Sequence, residues 1–207
     1  MNLFSLEGQV AIVTGSSRGI GRAIAERLAE HGAQVVISSR KAEPCSEVAA
    51  AINAAHGAGR AISIPANISR KEELRHLVDE TTRQLGRVDI LVNNAGILRD
   101  KSFAKMDLAD FRLVLDVHLM GAAICSQAVW NLMRAQKYGR IVMTTSSSGL
   151  YGNFGQANYG AAKMALVGLM QTLSIEGAKD NVRVNCLAPT AATRMTEGLL
   201  PAEAATG

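Results

Sequence analysis

The run Thr14-Gly-Ser-Ser-Arg-Gly-Ile-Gly21 joins an apolar, β-branched segment, Gln9–Thr14, to a helix-period segment, Gly19–His31. Few folds accept that junction. Gly15, Gly19 and Gly21 permit a tight turn, close approach of a pyrophosphate, and packing of the helix against the strand. The helix start offers free N–H groups and the positive end of its dipole, so Ser17, Arg18 and Ile20 fall where phosphate would sit. The spacing is G-x-x-x-G-x-G rather than the G-x-G-x-x-G of many dinucleotide folds. No Gly-Lys-Ser/Thr follows, which disfavours a nucleoside triphosphatase loop.

The same alternation runs through the chain. Strands are expected at Gln34–Ser39, Ala61–Pro65, Asp89–Asn93, Arg140–Thr144 and Arg183–Leu187. Helices are expected at Cys45–His56, Lys71–Leu85, Leu108–Gln136 and Asn158–Lys179. This rhythm predicts an α/β fold: a single Rossmann-type doubly wound parallel sheet with helices on both faces, formed by residues 1–207 as one domain. With 48% hydrophobic but only 4% aromatic residues, the core must be built from Ala, Val, Ile, Leu and Met, as buried parallel sheets are. In such sheets ligands bind at the carboxyl ends of the strands.

Bulk properties exclude several classes. The net charge of +4 is scattered, with no Lys/Arg run dense enough for nucleic acid. Cys45, Cys125 and Cys186 are odd in number and far apart, which suggests neither a disulfide framework nor a metal site. The start Met1-Asn-Leu-Phe-Ser lacks a secretory pattern and no run is read as a membrane span, so the default is a cytoplasmic enzyme.

Two further patterns carry chemistry. After the second strand comes Ile37-Ser-Ser-Arg-Lys41, where a ribose-binding carboxylate would otherwise stand; Ser39 and Arg40, with Arg18, suit a 2′-phosphate and favour NADP(H) over NAD(H). Tyr159 and Lys163 stand four apart on a helical run, thirteen residues after Ser146, so an ammonium lies beside a phenol. Bringing a phenol from about 10 to about 7 requires roughly 4 kcal/mol of differential stabilisation, which Lys163 and a bound cationic ring would supply. A phenol tuned this way exchanges a proton with an alcohol or a carbonyl near neutral pH.

Thr14–Gly21, Asn93-Asn-Ala-Gly96, Ser146 and Tyr159/Lys163, in this order, closely resemble the short-chain dehydrogenase/reductase family. The resemblance covers the whole chain. It implies that Ser146 polarises the substrate oxygen, that Tyr159 is the acid/base, and that Lys163 binds the nicotinamide ribose and lowers the Tyr159 pKa. It places Asn94, Ala95 and Gly96 beside the cofactor, Asn67 and Ile68 at the adenine, and Pro189 and Thr193 near the nicotinamide carboxamide. His118 stands where the family has an asparagine that opens a helix kink, and the resemblance implies activity survives this exchange. Thr145, Ser147 and Ser148 are alternatives to Ser146 that only the spacing to Tyr159 disfavours.

Gly96-Ile-Leu-Arg-Asp100 with Ser102-Phe103, Tyr138-Gly-Arg-Ile141, Gly149–Asn158 and Arg194-Met-Thr196 look like the (3R)-hydroxyacyl-CoA dehydrogenase unit of peroxisomal multifunctional enzymes, whereas the first ninety residues resemble NADP-preferring carbonyl reductases. The resemblance therefore implies an NAD(P)(H)-dependent oxidoreductase interconverting a secondary alcohol and a ketone, with a 3-hydroxyacyl/3-oxoacyl thioester as the leading substrate. The alternatives are a general carbonyl reductase and a dinucleotide-binding protein without turnover. It further implies a homodimer or homotetramer, and a seventh strand beyond Gly207, without which one sheet edge is open to pairing.

Overall fold

The computed structural model describes residues 4–190. Six parallel strands form one sheet in the order β3-β2-β1-β4-β5-β6. They are β1 (Val10–Thr14), β2 (Gln34–Ser38), β3 (Ala61–Ser63), β4 (Ile90–Asn93), β5 (Gly139–Thr144) and β6 (Val182–Leu187). The order reverses between β1 and β4. This is the switch point at which an open parallel sheet leaves a crevice beyond its strand ends.

Alternation along β1 divides the core into two layers. Ile12 points with Leu91, Ile141 and Met143 toward α3 (Lys71–Leu85), α5 (Gly121–Gln136) and α7 (Ala157–Gly177). Ala11 and Val13 point with Val35, Ile37 and Val92 toward α1 (Gly19–Glu30) and α2 (Ala42–His56). Every residue of β1 is buried, as a strand covered on both faces requires. At the base of β1 and β4, Asp89 is fully buried. It accepts from Val10 N at 2.9 Å and from Arg87 through both carboxylate oxygens at 2.8 Å, so the two strands are pinned at the end remote from the crevice.

Three elements depart from expectation. Helix α2 starts at Ala42 rather than Cys45, since Pro44 is tolerated in a first turn that lacks intrahelical N–H partners anyway. The long helix expected over Leu108–Gln136 is divided into α4 (Leu108–Leu115), a π-helical turn Asp116–Met120, and α5. A short helix, α6 (Ser147–Tyr151), follows β5 and was not anticipated. The span Leu108–Gln136 is also long and apolar enough to cross a membrane by composition, contrary to the sequence reading. Its buried residues Val114, Val117, Cys125, Val129 and Met133 mark it as a core helix instead.

Candidate active site

The glycine turn is held by side-chain hydrogen bonds. Thr14 Oγ1 accepts from Asn94 N at 3.0 Å and Ala95 N at 3.1 Å, while Asn94 Nδ2 returns a bond to Thr14 O at 3.0 Å. Ser16, fully buried, donates to Val13 O at 2.6 Å and accepts from Ser38 N at 2.9 Å. These bonds tie the turn to β2 and β4 and account for the glycines. A Cβ on Gly21 would lie 2.4 Å from Asn94 Nδ2, and one on Gly15 2.9 Å from Ala95 Cα. Around Gly19, at φ +57°, a Cβ would meet nothing within 4 Å, so the turn is open on the outer side.

That opening fits a dinucleotide. The start of α1 has no side-chain cap and no acidic residue in its first turn, so its N–H groups are available to a pyrophosphate. Thr14 and Ser38 are partners in the β1–β2 register, which brings the loops bearing Arg18 and Arg40 to the same sheet end. Both guanidinium groups are exposed, and neither has an ion pair among the described residues. Ser39 is part-buried against Cys45 Sγ at 3.1 Å. Ala66 N donates to Ser39 O, setting Asn67 beside this loop, but Asn67 Oδ1 is spent on Ser69 N and its backbone N–H on Glu73. Ile68 packs on Gly121, where a Cβ would come within 2.5 Å, rather than standing free for an adenine.

At the carboxyl end of β5 the four candidate hydroxyls separate. Thr145 is buried and donates to Lys163 O at 2.7 Å, Ser147 is exposed, and Ser148 offers its N–H to Ser146 Oγ at 3.2 Å. Of the four, Ser146 is the one whose hydroxyl pulls the Tyr159 pKa down. Helix α7 carries Tyr159 and Lys163 on one face; Lys163 Nζ lies 5.4 Å from the centre of the Tyr159 ring and donates to Thr144 O at 2.5 Å. A glycine at 149 lets α6 pack here, since a Cβ would stand 2.8 Å from Lys163 Cβ.

The expected lowering of the phenol does not occur in the fold alone. Burial pushes the Tyr159 pKa up and the charge of Asp100 adds to this, against a downward pull from Ser146. Lys163, at 3% exposure, is itself lowered to about 8 by burial, because its ammonium is costly to desolvate.

His118 is 3% exposed, in the π-helical turn. Its ring meets Tyr159 edge-on at 5.2 Å and 88°, and Nε2 lies 2.8 Å from Ile97 O and 3.1 Å from Ile97 N. Burial, with the Lys163 charge, drives its pKa to about 3, so it is a neutral ring. Gly96 is obligatory beside it, since a Cβ there would fall 2.3 Å from His118 Cε1. The helix distortion implied for position 118 is present: Gly121 N bonds Asp116 O, one residue further back than in an α-helix. Asn93 Oδ1, His118 Nδ1 and Thr144 Oγ1 are buried without a partner among the described residues. Asn93, His118 and Lys163 line one narrow internal crevice with Thr14. Pro189 is part-buried just beyond β6, whereas Thr193 and the Arg194–Thr196 motif lie outside the described residues.

The arrangement is a tyrosine phenol, a serine hydroxyl and a buried lysine, set at the end of a sheet whose first turn suits a dinucleotide. Residues 9–204 match the family model described as short chain dehydrogenase. The chain belongs to the short-chain dehydrogenase/reductase family. It is 48% identical over 202 residues to peroxisomal multifunctional enzyme type 2 of Drosophila melanogaster, a match covering 94% of this chain and 33% of that protein. It is 45% identical over 206 residues to the peroxisomal hydratase-dehydrogenase-epimerase of Saccharomyces cerevisiae, covering 95% of this chain and 22% of the other. To a 3-oxoacyl-[acyl-carrier-protein] reductase of Synechocystis it is 44% identical over 196 residues, covering 94% and 79%. The chain thus spans a third or less of the two peroxisomal relatives.

Proposed function

We propose that this chain is an NADP(H)-dependent oxidoreductase that interconverts 3-hydroxyacyl and 3-oxoacyl thioesters. The observation that carries the reading is the convergence of Ser146, Tyr159 and Lys163 at the end of β5, one strand away from the switch point. Arg18 and Arg40, without an ion pair among the described residues, favour the 2′-phosphorylated cofactor. The names of the relatives, which include both a dehydrogenase and a 3-oxoacyl reductase, favour an acyl thioester.

The cofactor supplies hydride chemistry when bound. The chain supplies the rest. Ser146 donates a hydrogen bond to the substrate oxygen and orients it. In reduction Tyr159 gives its proton to that oxygen as negative charge develops there; in oxidation the phenolate takes the proton from the alcohol. Lys163, anchored to Thr144 O, would hold the nicotinamide ribose and, while protonated, stabilise the phenolate left by reduction. We read the exposed Leu108 of α4, Met120 of the π-helical turn, and Met164 and Ile175 of α7 as support for a homo-oligomer.

The test is nicotinamide absorbance with 3-oxoacyl thioesters beside simple ketones. Tyr159→Phe is expected to lose at least about a hundredfold in kcat, the lower end for a positioned acid/base, while NADPH binding stays within about twofold. Unchanged turnover in that variant would remove Tyr159 from the chemistry. A preference for simple ketones over thioesters would replace the proposed substrate with a general carbonyl.

A further inference from the structure

Helix α7 has an unusual start for one that carries two site residues. Its N-cap, Gln156, makes no side-chain capping bond, and its first turn contains no acidic residue to meet the dipole. Gln156 is nonetheless only 5% exposed, and its side chain is spent elsewhere. Nε2 donates to Asp100 Oδ2 at 2.7 Å, and Oε1 accepts from Asn153 Nδ2 at 3.1 Å. Two further bonds run alongside. Asn158, fully buried, donates from Nδ2 to Arg99 O at 3.0 Å, while its Oδ1 takes the Tyr159 N–H at 2.7 Å. Lys101 N donates to Gly155 O at 2.9 Å. Residues 99–101 are thereby clamped across more than fifty positions of sequence to the residues that immediately precede Tyr159.

We propose that Asp100 is a positioning residue for Tyr159: held by Gln156, it supplies the negative charge that the start of α7 lacks and fixes the loop against which the phenol is set. This rests on Tyr159 being the acid/base. A staple that served only to join the loops would not need a carboxylate, because an amide oxygen also accepts from Gln156 Nε2. Nor would it need to stand close enough to raise the Tyr159 pKa, as Asp100 does after the larger effect of burial. Among the described residues, the titratable groups facing Tyr159 are few and come from separate elements. They are Lys163 on its own helix, His118 edge-on from the π-helical turn, and Asp100 from the β4–α4 loop, with Cys186 of β6 acting only through Lys163. Beside Asp100, Arg99 is drawn off by Asp110 at 3.5 Å, and Lys101 has no ion pair among the described residues.

Two variants separate charge from geometry. Asp100→Asn keeps an acceptor for Gln156 and removes the charge. The pH at which Tyr159 titrates is then expected to fall, moving the acidic limb of the oxidation kcat/KM profile to lower pH, with thermal unfolding unchanged. Asp100→Ala also breaks the clamp, and kcat is expected to fall about tenfold or more, given the sensitivity of proton transfer to small displacements, with NADPH affinity within about twofold. The titration is read a second way, without turnover, as the near-ultraviolet phenolate absorbance of each protein minus that of its Tyr159→Phe counterpart. If Asp100→Asn leaves both profiles where the wild type has them, or if Asp100→Ala lowers only the unfolding temperature, Asp100 is a structural staple and the proposal fails. Absence of turnover in the wild type on any carbonyl would instead sink the functional reading, while the absorbance titration would still decide the role of Asp100.

Discussion

Substituting Gly96 by alanine should injure the protein through one contact. The new methyl would lie 2.3 Å from His118 Cε1 and 3.1 Å from Nδ1. Restoring an ordinary separation of about 3.4 Å requires a movement of about 1 Å. The ring has little room to make it, since Nε2 lies 2.8 Å from Ile97 O with Ile97 N at 3.1 Å, and the ring meets Tyr159 edge-on. Overpacking of this kind costs about 1–3 kcal/mol. For a chain of this length each kcal/mol lowers Tm by about 2–4 °C, so a fall of roughly 2–12 °C is expected. Strain passed to Tyr159 should also cut kcat by on the order of a hundredfold, as misplacement by 1 Å does. The decisive assay is a double-mutant cycle in urea with His118→Asn, which removes the ring that the methyl strikes. The pair should recover at least about 1 kcal/mol relative to the sum of the single changes. Additive losses, or a Gly96→Ala protein within about 0.5 kcal/mol of wild type, would refute the account.

Two other outcomes follow from groups already described. Removing Arg18 or Arg40 as alanine should weaken NADPH by about tenfold in Kd and NADH by no more than about twofold, measured by fluorescence titration; equal losses for both cofactors would dismiss the 2′-phosphate reading. His118 should make the fold acid-sensitive. Its folded pKa, about 3, lies below the ordinary 6.5, so between these values the unfolded chain binds a proton that the folded one does not. Its contribution is complete above pH 6.5 and declines by about 1.4 kcal/mol per unit as pH falls toward 3. Urea unfolding across that window should be less steep in pH for His118→Gln, and parallel slopes would show that the ring is not what titrates.

Much of this was written in local pattern. The glycine turn, the strand–helix rhythm and the four-residue step from Tyr159 to Lys163 depend on neighbours in sequence, and steric rules and helical period suffice to read them. Among the four hydroxyls the thirteen-residue spacing to Tyr159 pointed to Ser146, and the fold adds that Thr145 spends its hydroxyl on Lys163 O. The clamp between Asp100 and Gln156 has no sequence signature, because each is an ordinary polar residue until the sheet places their loops together.

The sequence by itself determined the sheet, the glycine turn and the Tyr159–Lys163 step, since each is encoded in periodicity or spacing. Only the tertiary structure decided how those groups behave. Burial strips water from Lys163, His118 and Tyr159 to different extents, and desolvation depends on everything packed around a group rather than on the residues beside it in the chain.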